Sequence, residues 1–292
     1  MTLKLLFERA NLLKQRLKQE GGEMHAAWLS RARDVWRPYR PSICGRSIAA
    51  VDSGWNYMTY GGFYLYAIRA VAVAPSSEDV TEPFVDVDIV PMEAEGSGIS
   101  PELYIKGLAE CYEHDLASRA SKFLDIVLVD GSILARLNMA DALKRARLFR
   151  EYAVHVRPLK DVKNVLFVSK YSQDRSLIKG ALGDVYYINR ATRSIGYTEP
   201  IASERDGMRV SVFYMRLSEN SDAVHVEVPA IVDSDYVESM IDALHGTAVK
   251  GYPYPLIVAH SMASVDDGLM EMVAEAAGLA VLPTSREVLE VG

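Results

Sequence analysis

Residues 125–133 read Asp-Ile-Val-Leu-Val-Asp-Gly-Ser-Ile, and the fold turns on this stretch. The apolar run 126–129 suits a strand buried on both faces. It ends at Asp130, and Gly131-Ser132 supplies turn chemistry. Residues 47–56, SIAAVDSGWN, repeat the pattern. Ser47 to Val51 predicts a short strand ending at Asp52, with Asp-Ser-Gly as its turn. Between these stretches, residues 63–73, FYLYAIRAVAV, predict a long strand after Gly61-Gly62. Residues 84–90, FVDVDIV, alternate strictly and predict a third strand. Three closely spaced strands predict an antiparallel meander.

A helix follows. Ser100 suits its N-cap and Pro101 its first position. Ile105, Leu108, Ala109, Tyr112, Leu116, Ala120 and Phe123 line its apolar face, so it is expected to run to about Phe123. A helical crossover returns a parallel strand. Strand 126–130 is therefore expected beside strand 47–51, with Asp52 and Asp130 together at neighbouring strand ends.

The flanks are less regular. Leu3, Leu6, Phe7, Ala10, Leu13 and Leu17 recur at helical spacing among Lys and Arg, which predicts an amphipathic helix over 3–20. A second helix is expected over 23–36, broken by Pro38 and Pro41. Residues 1–45 then form a helical arm for oligomerisation or docking, and residues 46–292 form the main domain. Residues 141–154 predict a basic helix. Strands are expected at 165–168, 185–188, 210–217 and 224–228, and helices at 236–244, after Pro255 and at 267–277. No repeat or low-complexity linker divides the chain.

Composition sets limits. Of 292 residues, 49% are hydrophobic and 24% charged, as in ordinary globular domains. No apolar run of transmembrane length and no signal-peptide pattern occurs, so a cytoplasmic protein without a membrane association is expected. Cys44 and Cys111 lack zinc-site spacing and suit free thiols in a reducing compartment. Six Asn and three Gln make the chain amide-poor, a mark of thermophiles. The net charge of −7 runs against a uniformly basic nucleic-acid binder, so local clusters carry more weight.

Asp52 and Asp130 lead the candidate site. Open sheets bind ligands beyond the carboxyl ends of their strands. Two carboxylates there repel each other unless a cation lies between them, and hard oxygen donors suit Mg²⁺ or Mn²⁺. A third acid is expected from the helix after Ser100. With Ile105 at zero, Glu113 falls at about 80° and Glu102 at about 60°, on the flank of the apolar face. Glu110 falls at about 140°, toward solvent. Glu113 and Glu102 both remain candidates on this ground. His260 lies in the apolar stretch PLIVAHSMAS, where a histidine is either a satisfied core residue or a metal ligand or proton donor. Tyr252 and Tyr254 alternate with prolines just upstream. Lys170 ends strand 165–168 and suits a scissile phosphate. Lys144, Arg145, Arg147 and Arg150, with Tyr171, Arg175 and Lys179, are candidates to track a phosphate backbone.

Taken in order, AAVDSGWN, VLVDGSI, FVSK, FYMRL and YPYPLIVAHSMASV resemble the NurA nucleases of archaea and some bacteria. The resemblance runs from about Ser47 to Ala280. It implies an α/β, RNase H-like mixed sheet with flanking helices and an extended C-terminal half, spanning 46–292. It implies a homodimer that cuts single-stranded DNA endonucleolytically and degrades single- and double-stranded DNA 5′ to 3′. Mn²⁺ is the implied cofactor, with Mg²⁺ as the alternative. DNA end resection for recombinational repair is the implied role. The HerA-type hexameric helicase is the implied partner, beside other end-resection and single-strand-binding proteins. Carried over residue by residue, the implied metal ligands are Asp52, Glu113, Asp130 and His260, with Glu110 in reserve for Glu113. Lys170 and Tyr252 complete the implied catalytic set, and DNA contacts fall to Lys144, Arg145, Arg147, Lys170 and Arg175.

Two rivals differ in kind. A non-catalytic dimeric adaptor docking on a hexameric ATPase would use the N-terminal helix and show no saturable Mn²⁺ dependence. A phosphotransferase would need a glycine-rich phosphate loop, and no GxxxxGK[ST] occurs.

Overall fold

The computed structural model describes residues 2–19, 23–76, 78–91, 100–143 and 154–279. In chain order its elements begin with α1 (Thr2–Gln19), α2 (Glu23–Val35), β1 (Trp36–Pro38), β2 (Ile48–Tyr60), β3 (Phe63–Val73) and β4 (Phe84–Pro91). Next come α3 (Pro101–Ala120), β5 (Ile126–Asp130), α4 (Ile133–Leu143), β6 (Val165–Ser169) and α5 (Asp184–Ala191). The rest are β7 (Gly196–Thr198), β8 (Ile201–Arg205), β9 (Met208–Arg216), β10 (Val224–Val228), α6 (Ser234–His245), the small pair β11 (Ala248–Val249) and β12 (Tyr252–Pro253), α7 (Tyr254–Ala263) and α8 (Asp267–Ala276).

One ten-stranded sheet runs in the order β1-β7-β9-β10-β6-β5-β2-β3-β4, with β8 also on β9. β2, β3 and β4 pair antiparallel, as the meander reading expects. The crossover through α3 returns β5 parallel to β2, and β6 lies parallel to β5. The order β4-β3-β2-β5-β6, three antiparallel strands followed by two parallel ones, is the RNase H-like core. β10, β9, β7 and β1 extend it with antiparallel strands. The segment before residue 46 thus contributes an edge strand through Trp36–Pro38.

Both sheet faces are covered. α6 and α7 pack on one through Val237, Ile241, Leu244, Leu256 and Ala259, against Ala50, Leu128, Val168 and Val226. α3 covers the other with Leu116, Ala117 and Ala120, against Val51, Val127, Val129 and Phe167. The side-chain alternation along β2 and β5 therefore assigns Asp52 and Asp130, in step with Ala50 and Leu128, to the α7 face. Ser100 caps α3 by accepting the Leu103 N–H at 3.2 Å, and Pro101 opens the helix as expected.

Three expectations need correction. β2 does not stop at Asp52 but continues to Tyr60. Its partner β3 pairs with it residue by residue from Ala50↔Val73 to Tyr60↔Phe63, closing on the two-residue turn Gly61-Gly62. That ladder overrides the turn preference of Asp-Ser-Gly. Residues 185–188 are helical, not extended. Asp184, Tyr187 and Ile188 are the buried residues of α5, at helical spacing, and Tyr187 and Ile188 pack with Trp28, Leu29 and Ala32 of α2. Glu110, expected toward solvent, is buried. The basic stretch with Lys144, Arg145, Arg147 and Arg150 lies outside the described residues.

Candidate metal centre

The parallel pairing of β2 and β5 ends at Val51↔Val129, so Asp52 and Asp130 stand one step beyond it on neighbouring strands. Adjacent strands lie about 4.8 Å apart, which puts the two carboxylates side by side. Burial pushes the Asp52 carboxyl above the usual carboxylate range, and the Asp130 charge pushes it further. His260 and the Ser53 N–H oppose this by bonding the ionised form. The Ser53 N–H donates to Asp52 Oδ1 at 2.8 Å. His260 Nδ1 lies 2.9 Å from Asp52 Oδ2.

His260 reaches Asp52 because of Gly54. A Cβ at that position would lie 2.2 Å from the Ala263 carbonyl oxygen, so only glycine lets α7 cross β2 this closely. The imidazole is not a core residue, since its side chain is 79% exposed. Tyr252 stands at the start of the same connection, and its hydroxyl donates to Asp130 Oδ1 at 3.2 Å. Burial and the Asp130 carboxylate push the Tyr252 phenol far up, so it stays protonated as a donor. Gly131 has φ +105°, which only glycine adopts freely, and it turns the chain from β5 into α4.

Glu113 approaches from the α3 side. Its Oε1 accepts a short hydrogen bond from Ser53 Oγ, and its Oε2 lies 2.5 Å from Arg136 Nη2. The same guanidinium nitrogen donates to the Asp130 carbonyl at 2.7 Å. Arg136 Nε lies 4.0 Å from Glu110 Oε1. Burial raises the Glu113 carboxyl to about 7 against the pull of Arg136. Asp52, Glu113, Asp130 and Arg136 line one open cavity of about 350 Å³, with Lys106 and Trp55 on its wall. Glu102 is exposed on the first turn of α3, away from these acids. Lys170 and His260 line an adjoining cavity that also reaches Asp130 and Tyr252. Arg175 is exposed in the loop before α5 and donates weakly to the Ala181 carbonyl at 3.5 Å.

Three side chains that sequence reasoning passed over organise this site. Arg136 joins Glu113 to the Asp130 turn. Ser53 joins Asp52's strand to Glu113. Glu227 of β10, 2% exposed, accepts from Ser132 Oγ at 2.7 Å and from the Leu134 N–H at 2.9 Å, which fixes the Gly-Ser turn and the start of α4. One signal was available: VHVEV carries His225 and Glu227 on one face of a strand whose every residue is buried. A buried carboxylate needs partners.

The donor chemistry fits a hard divalent cation. Asp52 within β2 and Asp130 at the end of β5 crowd each other, a third carboxylate lines the same cavity, and an imidazole completes the group. Among the described residues no set of three or more His, Cys, Asp or Glu side chains is already drawn together as a metal cage. Glu113 is instead engaged by Ser53 and Arg136.

An RNase H-like core with aspartates paired across its neighbouring parallel strands and a facing histidine puts the chain among proteins of nuclease fold. Residues 46–265 match the NurA domain family, and the chain belongs to that family. The DNA double-strand break repair nuclease NurA of Saccharolobus solfataricus is 23% identical over 303 aligned residues, covering 87% of this chain and 85% of that protein. The crystal structure of the NurA nuclease from Sulfolobus solfataricus superposes with a TM-score of 0.77 at 20% identity, covering 95% of this chain and 99% of that one. A crystal structure of NurA bound to dAMP and manganese superposes with a TM-score of 0.68 at 13% identity, covering 99% and 100%. No described helix is long and apolar enough to cross a membrane.

Proposed function

We propose that this chain is a metal-dependent deoxyribonuclease acting in DNA end resection for recombinational double-strand break repair. It cuts single-stranded DNA endonucleolytically and degrades single- and double-stranded DNA 5′ to 3′. The observation that carries this reading is the pairing of Asp52 and Asp130 on adjacent strands, with His260 on Asp52 at 2.9 Å. The relative in S. solfataricus is a DNA double-strand break repair nuclease, and another NurA binds manganese and dAMP. Both support the same chemistry here.

Asp52, Glu113, Asp130 and His260 would hold the ion or ions, Mn²⁺ by preference and Mg²⁺ as the alternative. Such a metal supplies Lewis-acid stabilisation of phosphate charge and lowers the pKa of bound water. The chain's own groups do the rest. Lys170 offsets charge on the phosphate. Tyr252 restrains the Asp130 carboxylate. Lys144, Arg145, Arg147 and Arg175 guide the DNA backbone.

Residues 1–45, which also give the sheet its edge strand β1, serve through α1 as the docking arm, and 46–292 as the nuclease domain. α1 exposes Leu3, Leu6, Phe7 and Leu13, which supports a partner surface for a homodimer and a HerA-type hexameric ATPase. The test is cleavage of 5′- and 3′-labelled single- and double-stranded DNA in Mn²⁺, Mg²⁺ or EDTA. Metal-dependent cutting that vanishes in Asp130→Ala is expected. Absence of cutting in every metal, with and without the ATPase, overturns the reading.

A further inference from the structure

A second cavity, of about 600 Å³, opens beside the acidic site. It meets that site at Ser132, two residues after Asp130, and meets the Lys170 and His260 cavity at Ser169 and Tyr171. Two residues span at most about 7 Å, comparable to one nucleotide unit. Nothing in the metal chemistry uses this space.

Its floor is His225 of β10. The side chain is 3% exposed, and neither ring nitrogen has a hydrogen-bond partner. A buried, unpaired polar group is costly and points to a ligand or water that completes it. Asp174 and Glu227 lie 3.8 Å and 3.7 Å from the two ring nitrogens, too far for hydrogen bonds. Both carboxylates are already engaged. Glu227 accepts from Ser132 and Leu134, and Asp174 accepts from the Ser176 N–H and hydroxyl and from the Tyr214 hydroxyl. Burial lowers the His225 pKa, so at neutral pH the imidazole is uncharged and offers one donor and one acceptor. At the mouth, the Tyr171 ring is 87% exposed, with Lys170 Nζ 5.5 Å from its centroid.

This chemistry selects its occupant. Two carboxylates on the wall repel a phosphate. No cation cage is found among the described residues. An uncharged planar group with alternating donors and acceptors suits both the neutral imidazole and an aromatic ring at the entrance. We propose that this cavity is a nucleobase pocket, which takes the base of a nucleotide adjoining the scissile phosphate, bonds its edge through His225 and stacks it at Tyr171. This rests on the nuclease reading for its context. A base must leave the stack to enter, so the pocket favours single-stranded or frayed ends.

The test avoids cleavage. The four unphosphorylated 2′-deoxynucleosides are titrated into the full chain in EDTA, with saturation-transfer NMR as the readout. Saturable binding of at least one is expected, about tenfold weaker in Tyr171→Ala and in His225→Leu. Tyr171 is exposed, so its variant keeps the test valid if His225→Leu fails to fold. No saturable binding of any nucleoside overturns the pocket, as does undiminished binding in Tyr171→Ala and every folded His225 variant. Nucleoside binding without DNA cleavage in any metal leaves the pocket standing and removes the nuclease reading. Cleavage without nucleoside binding does the reverse.

Discussion

His260 Nδ1 and Asp52 Oδ2 lie 2.9 Å apart although 208 residues separate them in the chain. The contact joins the exposed end of α7 to a buried carboxylate inside β2. His260→Ala should lower the Mn²⁺-supported cleavage rate at least about tenfold, through loss of one group proposed to hold the ion. Single-turnover kinetics with circular dichroism measure this. An unchanged rate would make His260 a structural partner of Asp52 only.

Gly54 makes that contact reachable. In Gly54→Ala the new methyl meets the Ala263 carbonyl at 2.2 Å, so α7 must shift. A stability loss of about 1–3 kcal/mol in urea denaturation is expected. Displacement of His260 by about 1 Å should also cost about a hundredfold in cleavage. A fully active, fully stable Gly54→Ala would show that α7 does not depend on this close approach.

Glu227 holds the turn after Asp130 through Ser132 and Leu134. Glu227→Ala removes two bonds to a buried carboxylate and should destabilise the chain by about 2 kcal/mol or more. Glu227→Gln keeps the shape and one acceptor, so it should lose less. Urea midpoints unchanged from wild type in both variants would contradict this role for Glu227.

Glu113 predicts a pH dependence of the metal-free protein. Its carboxyl is raised from 4.5 to about 7, chiefly by burial. Between these values the folded chain holds a proton that the unfolded chain has released. The stabilisation from protonated Glu113 is therefore complete below about pH 4.5 and is lost as pH rises through about 7. In EDTA, wild type should lose stability relative to Glu113→Gln across that window, by up to about 3 kcal/mol. Parallel melting curves for the two proteins at every pH would contradict it.

The core was legible where periodicity and turn chemistry agreed. FVDVDIV forms its strand, although the alternating Val85, Val87 and Ile89 are exposed, Ser100-Pro101 opens its helix, and the apolar run before Asp130 returns parallel to β2 after that helix. Asp52, Asp130 and His260 were readable because each polar group stands in or at the end of an apolar stretch. What escaped was tertiary in origin. β2 runs through Asp-Ser-Gly because β3 supplies a partner for each residue as far as Tyr60. Residues 185–188 are helical because α2 covers Tyr187 and Ile188. Arg136 looks like any helical arginine until Glu113 and the Asp130 carbonyl meet around it. Glu110 is buried for the same reason: its helix angle was right, but α4 covers a flank that α3 alone leaves open.

Asp52 and Asp130 are proposed to bind a divalent cation together. The most direct measurement is Mn²⁺ binding by electron paramagnetic resonance for wild type, Asp52→Asn and Asp130→Asn, each shown to be folded by circular dichroism. Saturable binding to wild type, weakened at least about tenfold in either variant, is expected. Binding that both variants retain in full, or no binding to wild type, would contradict a metal centre at these two aspartates.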